Sequence, residues 1–110
     1  DYASNNNART NRVAQRLPNA YGLYDMHGNV WEWCRDGWDD KAYRKRLGTV
    51  VDPYTDPENF GDRSNRVLRG GSYWFVAGHC RSAYRINYIA RGLNNDFNGF
   101  RVVCVSGRTL

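Results

Sequence analysis

At 110 residues the chain has room for one domain built around one core. With 41% hydrophobic and 25% charged residues its composition is globular, and no stretch is apolar for long enough to span a membrane. The net charge of +5 raises nucleic-acid binding, but the arginines are scattered and only residues 41–46 form a short basic run; a solvated helical face and structural arginines account for the excess.

Residues 1–20 are polar and turn-rich and read as coil, with one short strand near Val13. The chain opens on Asp1-Tyr2 without methionine or a visible signal peptide, which suggests a fragment whose targeting information is missing. Residues 21–29 form a compact loop that turns at His27-Gly28-Asn29. Val30-Trp31-Glu32-Trp33-Cys34 then alternates apolar and polar, the period of a strand, with Trp31 and Trp33 on one face and Glu32 on the other. Gly37-Trp38-Asp39-Asp40 breaks that strand, and Asp39 or Asp40 can cap a short helix over residues 41–46. Residues 52–62 hold two prolines and a glycine among acids and read as a surface loop. Arg66-Val67-Leu68-Arg69 reads as a strand stopping at Gly70-Gly71, residues 83–85 as another, and residues 99–105 as the clearest strand of all. The tail from Ser106 to Leu110 is expected to fray. Short strands with long irregular connections imply a single loop-dominated α+β domain over residues 1–110, with Trp31, Trp33 and Trp38 in its core.

Between Arg69 and Arg101 two kinds of sequence alternate. One is frame: Arg69-Gly70-Gly71-Ser72, then Cys80-Arg81-Ser82-Ala83-Tyr84-Arg85, then Gly99-Phe100-Arg101. The other fills residues 73–79 and 86–98 with aromatic, aliphatic and amide side chains that follow no period. A stiff frame carrying irregular aromatic segments is how binding surfaces are built, because scaffolds position functional loops. Tyr and Trp, eight and four in this chain, suit such surfaces as well as cores. Gly70-Gly71 permits close backbone packing and is no phosphate loop, since neither lysine nor helix follows. Arg69, Arg81, Arg85 and Arg101 are expected to hydrogen-bond loop carbonyls. Cys34, Cys80 and Cys104 show no metal spacing; they read as buried thiols, or as one disulfide and a free thiol if the protein is secreted. His79 beside Cys80 suggests a Cys/His nucleophile, but nothing identifies a third, orienting group.

Asn19-Ala20-Tyr21-Gly22-Leu23-Tyr24-Asp25-Met26-His27-Gly28-Asn29-Val30-Trp31-Glu32-Trp33, followed by Arg66-Val67-Leu68-Arg69-Gly70-Gly71-Ser72 and Gly99-Phe100-Arg101, resembles the formylglycine-generating enzyme (sulfatase-modifying factor) family. The resemblance implies a C-type-lectin-like fold, of which this chain matches the C-terminal part. In the family's enzymes two cysteines downstream of the Arg-Gly-Gly-Ser element bind copper and perform an oxidation, since paired soft thiolates capture Cu(I). Cys80 stands at the second of these positions, and Phe75 at the first. Phenylalanine ligates nothing, so the resemblance implies a chain without catalysis, and no copper is expected. The alternative is a copper-dependent oxidase that converts a substrate cysteine to formylglycine, with Cys34 as the substitute thiolate. Sulfoxide synthases of the same superfamily need a His-based iron site, which His27 and His79 alone do not supply.

The pattern is most similar to the variable proteins of diversity-generating retroelements, where Cys-Arg-Ser-Ala and an arginine precede a diversified stretch that ends near Gly-Phe-Arg. Adenine-directed mutagenesis of Asn codons yields the residue types found at Phe75, Val76, Gly78, His79, Ile86, Tyr88, Ile89, Leu93, Asp96 and Phe97, though not Trp74. An ordinary homologue with drifted loops is the other reading. The resemblance implies a ligand-binding region over residues 73–98, with a face made by Trp74, Phe75, Val76, His79, Ile86, Tyr88, Ile89, Leu93, Asp96 and Phe97. Aromatic anchors would supply affinity, and Asn and Asp adaptable hydrogen bonds. The expected partner is a protein or cell-surface ligand, not a nucleic acid, with the chain at a cell surface, on a virion or secreted, and without membrane insertion. The resemblance also implies a structural calcium site: a side-chain oxygen of Asp25, the backbone carbonyls of Gly28 and Val30, and the Glu32 carboxylate, oxygens of the kind a hard cation takes. Against it stands a pairing of Glu32 with a framework arginine.

Overall fold

The alternating Trp-Glu-Trp run does form a strand, β1 (Trp31–Gly37), which extends past Cys34 through Arg35, Asp36 and Gly37. A computed structural model gives the fold and describes residues 9–45, 48, 65–89 and 95–104. β1 is joined by β2 (Asn65–Arg69), β3 (Ile86–Ile89) and β4 (Asn98–Gly99) in one mixed sheet ordered β3-β2-β1-β4. β1 and β2 are antiparallel, with Glu32 opposite Arg69, Trp33 opposite Leu68, and an irregularity before Gly37 meets Arg66. β3 continues the sheet antiparallel to β2, with Ile86 opposite Leu68 and Tyr88 opposite Arg66. β4 runs parallel to β1, placing Asn98 beside Trp31 and Gly99 beside Glu32.

The core centres on β1 and β2. Val67 and Leu68 are consecutive and both buried, so β2 is covered on both faces, while Trp31 is completely buried and Ala42 and Cys80 pack in beside the sheet. Trp33 and Trp38 are only half-buried, which corrects the expectation that all three tryptophans are core. Trp33 sits where the ladder becomes irregular. Trp38 lies past the end of β1, and its ring carries the Arg85 guanidinium at 4.8 Å.

The helix α1 (Ala42–Lys45) begins one residue later than expected, and Asp39 starts it: Lys41 N–H donates to Asp39 Oδ1 at 2.8 Å. Arg85 fastens this turn to the sheet, with its guanidinium 5.0 Å from the Tyr43 ring and donating to Asp39 O at 3.2 Å.

Three strand expectations are corrected. Val13 lies exposed in a turn. Residues 83–85 precede the strand instead of forming it: Arg81 to Tyr84 closes a turn, with Tyr84 N–H on Arg81 O at 3.0 Å, and pairing begins at Ile86. Of residues 99–104 only Gly99 joins the ladder; Phe100, Val102 and Val103 stay exposed, none of residues 100–104 pairs with a described strand, and residue 105 lies outside the described residues. A run of strand-favouring residues does not make a strand without a neighbouring backbone to take its hydrogen bonds. The loop expected at residues 52–62 and the tail at 106–110 lie outside the described residues.

Candidate functional site

The Glu32 face of β1 is organised by one cation. Arg101 donates from Nε to Glu32 Oε2 at 3.0 Å and from Nη2 to Oε1 at 2.7 Å, a two-pronged ion pair. The same guanidinium donates to Tyr24 O at 2.8 Å and to Asp25 O at 3.4 Å. It thereby ties the C-terminal segment, β1 and the loop before it at one point. The hydrogen bond to Glu32 raises the Arg101 pKa above its ordinary value, ahead of the opposing effect of burial.

Asp25, Val30 and Glu32 of the expected calcium set border a cavity of about 220 Å³ together with Arg101, and Gly28 does not line it. Asp25 holds a left-handed backbone (φ 54°) and accepts the Ala14 N–H on Oδ2 at 2.7 Å. Gly28 and Asn29 are also left-handed, which turns the loop so that Gly28 N–H meets Gly70 O at 2.7 Å. In this arrangement the set does not fit a bare cation: both Glu32 oxygens and two loop carbonyls already face a guanidinium, which would repel a second positive charge. The pairing of Glu32 with a framework arginine is the one the geometry contains. Arg69 and Arg85 likewise meet carbonyls, of Ser82 and Asp39, while Arg81 instead lies 5.6 Å from the Tyr84 ring centre.

Beside this frame, Gly71 and Cys80 are in contact. Gly71 has φ 74°, and a Cβ there would sit 2.5 Å from Cys80 Sγ and 2.9 Å from Cys80 Cα. His27 Nδ1 lies 2.6 Å from Cys80 O and closes the other side. Burial pushes the Cys80 thiol pKa up, which favours the neutral form over the thiolate that nucleophilic attack and metal binding require. His79 turns its ring away into aromatic contacts, 4.4 Å from Tyr84 and 5.7 Å from Phe75, and makes no hydrogen bond to Cys80. The Cys/His nucleophile is therefore not assembled.

Phe75, at the position where the enzymes carry a cysteine, belongs to an aromatic cluster on the opposite face of β1. Its ring meets Trp31 edge-on at 5.7 Å and Phe97 at 5.5 Å, and Trp31 also contacts Tyr84 at 5.9 Å. A paired-thiolate copper site does not fit here, because the position of one thiolate is filled by a ring packed against the core.

The ten residues expected in one binding face are divided by the fold. Phe75, His79 and Phe97 are half-buried parts of the cluster, whereas Trp74 and Val76 stand 65% and 68% exposed and Asp96 is exposed too. Trp74, Asp96 and Phe97 come together with Tyr73 and Asn95 around a pocket of about 320 Å³. Ile86, Tyr88 and Ile89 lie elsewhere, on β3 at the far edge of the sheet from β4, about 14 Å away at ordinary strand spacing. Leu93 lies outside the described residues. Sequence reasoning missed Tyr73 and Asn95 as pocket residues; their signal was only their place beside Trp74 and Asp96. It also missed Asn29, a buried residue whose side-chain amide exchanges hydrogen bonds with the Asn11 backbone at 2.8 and 3.2 Å while its backbone carbonyl accepts Tyr73 N–H at 2.9 Å.

Residues 1–105 match the sulfatase-modifying factor enzyme 1-like domain family. The formylglycine-generating enzyme of Streptomyces coelicolor is 39% identical over 84 residues, 76% of this chain and 24% of that protein. The serine/threonine-protein kinase pkn1 of Chlamydia pneumoniae is 36% identical over 94 residues, 86% of this chain and 14% of the kinase. Among solved structures, Treponema denticola variable protein 1 superposes with a TM-score of 0.68 at 37% identity, covering 90% of this chain and 33% of that one. PvdO from Pseudomonas aeruginosa gives the same TM-score, 0.68, at 30% identity over 89% of this chain and 35% of its own. The chain thus spans about a quarter of the first of these curated relatives and a third of the structural ones.

Proposed function

This chain belongs to the sulfatase-modifying factor enzyme 1-like domain family, and within it we propose a non-catalytic ligand-binding scaffold of C-type-lectin-like fold. The observation that carries this is Phe75: where the family's chemistry asks for a thiolate, a phenyl ring packs on Trp31 and Phe97 and holds up a surface of Trp74, Val76 and Asp96. Arg69, Arg85 and Arg101 of the frame spend their donors within the fold, while Trp74, Val76 and Asp96 between the frame elements face solvent. The similarity to a protein titled a variable protein supports diversification of that surface, in the manner of diversity-generating retroelements. The ligand is a protein or other cell-surface molecule.

Two measurements test the proposal. Titration of the intact protein with Cu(I) and a sulfatase-motif peptide is expected to yield no aldehyde; stoichiometric copper uptake with formylglycine formation would establish the oxidase instead. A display library randomised at Trp74, Val76 and Asp96 is expected to keep its fold and yield binders of different specificity, and loss of folding in most members would overturn the scaffold. In the genome, a reverse-transcriptase gene and an adenine-rich near-copy of the 3′ coding segment should lie nearby; their absence would reduce the surface to that of a drifted homologue. Binding that weakens steeply with salt would point to nucleic acid.

A further inference from the structure

We propose that the pocket formed by Tyr73, Trp74, Asn95, Asp96 and Phe97 receives the guanidinium of an arginine side chain on a partner protein. This rests on the ligand-binding proposal above and assigns its chemistry. The walls are aromatic. The Tyr73 and Trp74 rings meet at 83° with centres 6.4 Å apart and form a corner, and Phe97 adds a third ring, braced edge-on by Phe75 at 5.5 Å. A cation is drawn to such ring faces, and arginine most of all, because its flat, weakly hydrated head also stacks.

The polar lining complements the same charge. Asp96, an exposed carboxylate, lines the pocket with Asn95 beside it. Among the described residues no basic side chain lines the pocket, although the chain as a whole carries a net charge of +5. A guanidinium brings five donors in a plane and no acceptor, which matches the exposed carboxylate of Asp96. At about 320 Å³ the space suits one long side chain and lies at the small end of ligand pockets. A neutral sugar would use the aromatic walls but not the charge of Asp96. That is why arginine is favoured.

The test follows amide and indole NMR signals of the intact protein during titration with N-acetyl-arginine methylamide and with its citrulline analogue, which has the same shape and no charge. Saturable shifts at the Trp74 indole and the Asn95 and Asp96 amides are expected with arginine, and affinity weaker by roughly tenfold or more with citrulline. Asp96→Asn is expected to give the same loss with an unchanged circular dichroism spectrum. Equal binding of arginine and citrulline, binding of a neutral monosaccharide that Asp96→Asn leaves intact, or no shift at these three residues overturns the assignment. If arginine fails while a display-selected binder still loses affinity on Trp74→Ala, the guanidinium assignment falls and the scaffold stands.

Discussion

The two faces of β1 solve opposite problems. On the Glu32 face nearly every polar group has its partner: Arg101 divides its donors among a carboxylate and two loop carbonyls, and Asn29 and Asp25 satisfy backbone N–H groups of the preceding segment. On the Trp31 face the contacts are rings against rings, and polar atoms are left over; Trp31 Nε1, His79 Nδ1, Asn95 Oδ1 and both amide atoms of Asn98 have no partner among the described residues. Hydrogen bonds are directional and fix residue identity, because removing one partner strands the other. Packed rings such as Trp31 are fixed by their volume instead, and only the exposed side chains beyond them, Trp74, Val76 and Asp96, carry neither constraint.

Substitutions rank accordingly. The largest loss is expected from Trp31→Ala, which removes the ring that supports Phe75, His79 and Tyr84; about 3 to 5 kcal/mol should disappear in urea denaturation. Gly71→Ala comes next at about 2 to 4 kcal/mol, since the new methyl meets Cys80 and the backbone angle is positive. A cost below 0.5 kcal/mol would show that Cys80 and the turn can move aside. Arg101→Ala should cost about 1 to 3 kcal/mol by freeing a half-buried carboxylate and two carbonyls. In the unaltered protein, millimolar calcium should leave Tm unchanged; a rise of several degrees would mean that the ion displaces Arg101 and would break the contrast between the faces. Trp74→Ala and Val76→Ser, by comparison, should alter stability by no more than about 0.5 kcal/mol while changing binding.

The smallest effect concerns the thiols. Burial raises the pKa of Cys34 and Cys80, so the stability their burial contributes is complete below the pKa of an unfolded thiol, about 8.5, and declines as pH rises above it. Alkylation of the folded protein should therefore reach exposed Cys104 first, with Cys34 and Cys80 protected until more alkaline pH. Equal rates at all three would show that the Gly71–Cys80 contact opens readily.

Much of the frame was legible in the chain. The Trp31-Glu32-Trp33 alternation announced a strand, the acidic residues after Trp38 announced a helix start, and the Gly70-Gly71 pair announced a close approach, because each depends on a few neighbouring residues and their backbone preferences. The candidate face was legible only in part. Trp74, Asp96 and Phe97 converge, but Ile86 and Tyr88 went to a different sheet edge, since strand order is set by pairing between distant segments and leaves no mark in local composition. Residues 99–104 differ for a related reason: their apolar side chains favour a strand, yet a strand needs a partner backbone as well as a composition.

By itself the sequence determined the family and the missing thiolate, because both rest on residue identities at set spacings: the Arg69-Gly70-Gly71-Ser72 and Gly99-Phe100-Arg101 elements, and Phe75 where a cysteine would stand. Only the tertiary structure decided how Glu32 is used and which filler residues share a pocket. Glu32 and Arg101 lie 69 positions apart, and their pairing depends on β4 entering parallel to β1. Tyr73 and Asp96 likewise meet only because the chain turns back beside Trp31. Contacts of that range are chosen by the packing of the whole sheet, where each buried group must find a partner at once, and no local pattern encodes that choice.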